Sequence, residues 1–286
     1  GGGGCGGTGG TAGLAFLLPA CECFRANPVT GKTELSLFSD ADEIALGAGA
    51  APAMEKEMGG LYQDPALEAY IASVGARLAA ASDRKGIPYR YRILDSGVVN
   101  AFALPGGYVY ISRGLLVQLK DESELAAVLG HETGHVAARH GVKHLQLSMG
   151  LDLLLRVASQ AASARGGVPA AEGLEAAKVG AALGSLKYSR DDEREADHLG
   201  IAYAERAGWD PRGMLGLMRV LESSERGSSG PPAILRTHPL SSERIRNAEA
   251  ELARRDAAAM DRAGRDTPEF QRQVARLRAS QRLSAP

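Results

Sequence analysis

The stretch that most constrains this chain is residues 125–140, where His131-Glu132-Thr133-Gly134-His135 lies inside an apolar run. Leu125, Val128, Leu129 and Val136 recur with a helical period. Asp121 followed by Glu124 has the spacing of a helix start. On a helix, residues four apart project from one face, one turn apart. His131 and His135 can therefore hold one Zn2+ between them. Glu132 lies about 100° round the helix, close enough to reach a metal-bound water without ligating the metal. Zinc lowers the pKa of bound water to about 7, and a neighbouring carboxylate can then take its proton. Gly130 and Gly134 each weaken a helix by roughly 1 kcal/mol relative to alanine. Their presence makes sense if another element must come close to this one.

Composition narrows the classes. The 286 residues suit one large domain or two small ones, and 44% hydrophobic with 23% charged residues is a globular balance. A net charge of −1 favours neither nucleic acid nor an anionic membrane. All three cysteines, Cys5, Cys21 and Cys23, fall near the start, so the body has neither a disulfide framework nor a cysteine metal site. No stretch reaches the 18 or so apolar residues of a spanning helix.

Residues 14–20 form a short apolar run before Cys21. With Leu18-Pro19-Ala20-Cys21 as its lipobox, this resembles a bacterial lipoprotein signal, although residues 1–13 carry no Lys or Arg. It assigns 1–20 to a signal and Cys21 to lipidation, and Glu22 directs such a protein to the outer membrane. Residues 21–39 read as a tether or clasp with turns at Asn27-Pro28 and Thr30-Gly31, leading into a helix near Asp40–Ala48. Asp64-Pro65 opens a second helix with Leu67, Tyr70, Ile71, Val74 and Leu78 on its core face, ending near Ser82. Alternation over Tyr89–Leu94 and Tyr108–Ile111, with a Pro105-Gly106-Gly107 turn, predicts a small antiparallel sheet. Asn100–Leu104 is either an edge that an extended substrate pairs with or plain core. The Leu- and Ala-rich residues 142–187 read either as a buried helical hairpin or as a partly exposed apolar surface that meets substrate or membrane, and 256–286 as a linker and a charged terminal helix with a solvated face.

Two histidines leave zinc short of a third protein ligand. At about 100° per residue, Glu193, Ala196, Asp197, Gly200 and Ala204 share one helix side. That side is small and apolar except for its two carboxylates, which are costly to bury unless paired or metal-bound. Glu193 is the expected third ligand, and Asp197, one turn on, can accept the spare N–H of a ligating histidine. Glu195 and His198 fall on the opposite side and read as solvated. His140 lies nine residues from His131, about 180° round the helix, so it is expected to point away from the site, and the i,i+4 pair His140 and His144 reads as structural or surface.

With these residues in place, the chain resembles the gluzincin metallopeptidases that include the CaaX-processing and heat-shock membrane zinc proteases. It is most similar to their soluble, periplasmic lipoprotein branch. Three further segments share the likeness: Asn27-Pro28-Val29-Thr30-Gly31, residues 100–107, and Thr237-His238-Pro239-Leu240 with Glu243-Arg244-Ile245. The resemblance spans roughly 21–250. It implies that His238 and Arg244 lie at the site, where either could stabilise the oxyanion that develops on an attacked carbonyl. His238 is open to two other readings: it could fill the open zinc position, or belong to a cap for the last helices.

The expected fold is α+β, a mostly helical zincin-like domain over 40–255 with a small sheet. The expected activity is zinc-dependent endopeptidase cleavage, with one Zn2+ on His131, His135 and Glu193 and Glu132 as the base. Substrates are polypeptides, with misfolded envelope proteins implied by the resemblance. The membrane is reached only through the lipid. The competing class is a metal-stabilised, chaperone-like binding module of the envelope, which has no use for Glu132.

Overall fold

The computed structural model describes residues 24–148, 186–226 and 232–283. Helix α4 (Glu122–Ala137) runs through the middle of the domain, and each of its residues is buried. A helix buried all round needs neighbours on every side. They are α2 (Pro65–Ala81), the strand β4 (Ala101–Leu104), and two later helices, α6 (Arg190–Arg206) and α7 (Gly213–Arg226). Asp121 caps α4 by accepting from the Glu124 backbone N–H. The Glu124 carboxylate accepts in return from Lys120 N–H at 2.7 Å.

Strands β3 (Arg90–Leu94), β4 and β5 (Tyr108–Ser112) form a sheet in the order β3-β5-β4. The β4–β5 pair is the expected hairpin, turning through Gly106 and Gly107 at φ 75° and 93°. The β3–β5 pair is parallel, with Arg90 opposite Tyr108, so the sheet is mixed rather than wholly antiparallel. The chain leaves β3, passes over to lay β4 at the far edge, and returns to place β5 between them. Alternation reads which face is buried but not the order of strands. The short strands β1 (Phe24–Ala26) and β2 (Thr33–Leu35) pair antiparallel as a second, two-stranded sheet.

Helix α1 (Asp40–Glu57) outruns its expected end at Ala48 and continues through Pro52. A proline in a helix removes a hydrogen bond, at a cost of about 3 kcal/mol. Burial of Ala50, Ala51 and Met54 beside Phe38, Leu94, Phe102 and Tyr110 offsets it. Helix α2 ends at the predicted Ser82, which serves as its C-cap. At the other end of the chain, α11 (Pro268–Leu283) buries Phe270, Val274 and Leu277 in the main core. The expected signal with Cys21, and residues 149–185 of the expected apolar hairpin, lie outside the described residues. Among the described residues, no helix is long and apolar enough to cross a membrane.

The glycines of α4 meet α6 as their spacing implied. A Cβ on Gly130 would sit 3.2 Å from the Gly200 carbonyl oxygen, and one on Gly134 would sit 3.1 Å from Leu199 Cβ. A Cβ on Gly200 would come within 2.9 Å of the His131 backbone nitrogen. Gly200→Ala is therefore expected to push α6 off α4 and to destabilise the fold by about 1–3 kcal/mol. Urea unfolding checks this, and an unchanged midpoint refutes the close-packing argument.

Candidate metal centre

Four buried side chains from three segments converge: His131 and His135 of α4, Glu193 of α6 and His238. His238 is the C-cap of the short helix α8 (Ala233–Thr237). One ligand-capable atom from each lies within 4.8 Å of all the others. His131 Nε2 is 3.0 Å from His135 Nε2 and 3.6 Å from Glu193 Oε2. His135 Nε2 is 3.5 Å from Glu193 Oε1. His238 Nδ1 is 2.9 Å from Glu193 Oε1 and 3.4 Å from His131 Nε2. A tetrahedron with bonds of about 2.05 Å has edges of about 3.4 Å. The two nitrogens and the carboxylate are therefore spaced to share one small cation, and the donor set suits a borderline metal.

The arrangement follows from local sequence. Ser189 caps α6 in a capping box with Asp192, which starts the helix so that Glu193 falls in its first turn. Asp197, one turn later, places Oδ1 3.0 Å from His131 Nδ1. Ser241 caps α9 (Ser242–Leu252) and brings Arg244 into that helix's first turn. The Arg244 guanidinium makes two 2.7 Å hydrogen bonds to Asp197 and a 2.5 Å ion pair with Glu193 Oε2. Burial would raise the Glu193 carboxyl, but His238 and Arg244 outweigh it and hold the pKa well below the usual range. Asp197 is lowered in the same way, with Arg244 overcoming burial. Glu132 has no such cation pressed against it, and burial pushes its pKa up. Its Oε2 and His238 Nε2 are both buried with no hydrogen-bond partner among the described residues. Its Oε1 stands 3.8 Å from His238 Nε2.

The geometry departs from the helical-wheel reading at His140 and Glu195. His140 is fully buried, and its Nδ1 lies 3.0 Å from His135 Nδ1. Glu195 is not solvated either, since its carboxylate meets His140 Nε2 at 3.0 Å. The reason is a break in the helix. α4 ends at Ala137, Arg139 adopts φ 63°, and α5 (His140–Ser148) starts afresh. The phase of α4 therefore does not carry to His140. The break is held by Arg139 Nε donating to Glu43 at 2.6 Å and by Arg84 donating to both Glu43 and the Val136 carbonyl. His144 donates to Asp192 at 2.7 Å, and His198, on the outer side as expected, pairs with Glu251. Tyr188, which carried no sequence signal of its own, is buried with its ring stacked 4.0 Å from that of His135.

Comparison with known proteins agrees with this centre. The family model described as Peptidase family M48 matches residues 65–252, a span that contains all of the residues above that surround His131 and His135 except Glu43. A "Putative beta-barrel assembly-enhancing protease" of Vibrio cholerae is 35% identical over 65% of this chain and 39% of its own length. The "Beta-barrel assembly-enhancing protease" of Yersinia pestis is 32% identical over 81% of this chain and 48% of its own. The "Mitochondrial metalloendopeptidase OMA1" of Schizosaccharomyces pombe is 31% identical over 63% of this chain and 51% of its own. The chain thus spans about half, or less, of the length of these three relatives. With two-thirds of its residues matched by the family model and a cluster of two histidines and a glutamate fit for a metal, the chain belongs to peptidase family M48.

Proposed function

We propose that this chain is a zinc-dependent endopeptidase that cuts unfolded polypeptides on the periplasmic side of a bacterial envelope, held there by lipid on Cys21. The observation that carries the reading is a buried carboxylate, Glu132, with one unpartnered oxygen beside the convergent His131, His135 and Glu193. Those three residues would hold Zn2+. The ion supplies Lewis acidity to the scissile carbonyl and acidifies water. Glu132 takes the proton of the attacking water and returns it to the leaving amine, which a raised carboxyl pKa favours. Arg244 is engaged with Glu193 and Asp197, so it fixes the carboxylates rather than meeting substrate. His238 Nε2 has no hydrogen-bond partner among the described residues and is the better donor to an oxyanion. The envelope assignment is supported by the signal-like run before Cys21 and by similarity to bacterial proteases named for beta-barrel assembly.

One observation favours a second, latent state of the same enzyme. His238 Nδ1 stands among the ligand atoms and so can fill the position that catalysis must keep open. Casein cleavage by the chain lacking residues 1–21, with zinc measured by mass spectrometry, tests both points. Cutting by His238→Ala several-fold faster than wild type identifies the latent state. Slower cutting assigns His238 to the oxyanion instead and removes the latent state. One zinc per chain with no cutting by either protein replaces the endopeptidase with the chaperone-like binding module.

A further inference from the structure

We propose that His140, backed by Glu195, is the residue that orients His135 toward the metal. This rests on the metal-binding reading above. An imidazole that offers Nε2 to a cation carries its proton on Nδ1, and the partner of that N–H sets the ring's tautomer and direction. The Nε2 of His135 faces His131 and Glu193, so its Nδ1–H points out of the centre. What it meets there is His140 Nδ1 at 3.0 Å. His140 accepts that hydrogen bond, carries its own proton on Nε2, and donates to Glu195 Oε2 at 3.0 Å, with Asp192 Oδ1 at 3.4 Å.

The two metal-facing histidines are thus held in different ways. His131 turns its Nδ1 to a carboxylate directly, Asp197 at 3.0 Å. Asp197 can stay ionised while buried because Arg244 pairs with it. Among the described residues no guanidinium pairs at the matching place beside His135, where His140 stands instead and Tyr188 covers the ring. A carboxylate there would be a buried charge without a cation, which is costly. A neutral imidazole can stand in that place and pass the hydrogen bond on to a carboxylate nearer water. His140 is fully buried, whereas the Glu195 side chain is 28% exposed. The left-handed Arg139, anchored by Glu43 and the Phe38 carbonyl, turns the chain so that His140 arrives at this spot.

The test is zinc affinity of the whole chain by competition with a chromophoric chelator, together with the visible spectrum of the cobalt-loaded protein. His140→Phe keeps a ring but removes the acceptor, and is expected to weaken zinc by about 10–100-fold and to alter the cobalt bands. His140→Asn restores an acceptor near the Nδ1 position and is expected to recover affinity to within about threefold of wild type, by the same reasoning. Phe binding as tightly as His, with the wild-type cobalt bands, overturns the proposal. So does Asn binding as weakly as Phe, because filling the space would then be all that His140 does. If His140→Phe does not fold, Glu195→Ala decides. Weaker zinc supports the relay, and unchanged zinc sinks it. A wild-type chain that binds no zinc removes the metal-binding reading itself, a different result from tight wild-type binding with insensitive variants.

Discussion

Glu132→Gln is expected to retain metal and fold while losing about 10²–10⁴-fold in peptide-bond cleavage, the usual contribution of a positioned general base. Glutamine has nearly the same shape, so the packing of α4 against α6 and α7 is untouched. The side chain of Glu132 is 1% exposed and makes no short ion pair, its nearest cationic partner being His238 Nε2 at 3.8 Å. Removing its charge therefore leaves no partner stranded and relieves a desolvated carboxylate. The amide cannot accept a proton at neutral pH. Cleavage of labelled casein, metal content and melting temperature are read on the same preparations. Wild-type cleavage by the variant refutes the role of Glu132. Loss of metal along with activity makes the variant uninformative about the base and points to a structural role for the carboxylate instead.

The parts of this molecule that a sequence makes legible are those where one periodic element carries its own signal. The Asp64-Pro65 start of α2, the apolar period of α4, and the small face of α6 with Glu193 and Asp197 all lie within single helices. A helical wheel therefore puts Glu193 and Asp197 on the side of α6 that meets α4, though it does not show that Glu195 on the other side meets His140. It fails once the helix does. His140 follows a left-handed residue, Arg139, stabilised by contacts with Glu43 and Phe38 about a hundred positions away. Nothing near Arg139 announces the break, since arginine is an ordinary helix former. Likewise, alternation marks β3 and β5 as strands but does not show that β5 enters between β3 and β4. The persistence of α1 through Pro52 depends on burial supplied by strands much later in the chain.

Arg244→Leu is expected to lower the stability of the metal-free protein by about 3–5 kcal/mol, the range found when one member of a buried ion pair is removed. Arg244 is 6% exposed and joins Glu193 to Asp197, both of which are also buried. Without it, two carboxylates face each other with little left but histidines to compensate them. The pH dependence gives the sign. Both carboxyls have folded pKa values below their ordinary ones, against the pull of burial, and Arg244 is a cause in each case. Groups depressed on folding contribute stability above the unfolded pKa, roughly 4, and that contribution is lost as pH falls through the lower folded values. In the variant, burial acts with less opposition and raises both carboxyls, so the protein can relieve the unpaired charge by taking up protons. The difference in unfolding free energy between wild type and variant should then be largest near neutral pH and shrink as pH falls below about 4. Zinc offers the same carboxylates another positive partner, so saturating zinc should narrow the gap at neutral pH as well. Urea unfolding at several pH values, with and without zinc, measures all of this. Equal midpoints for the two proteins at neutral pH without metal would show that Arg244 does not hold the two carboxylates together.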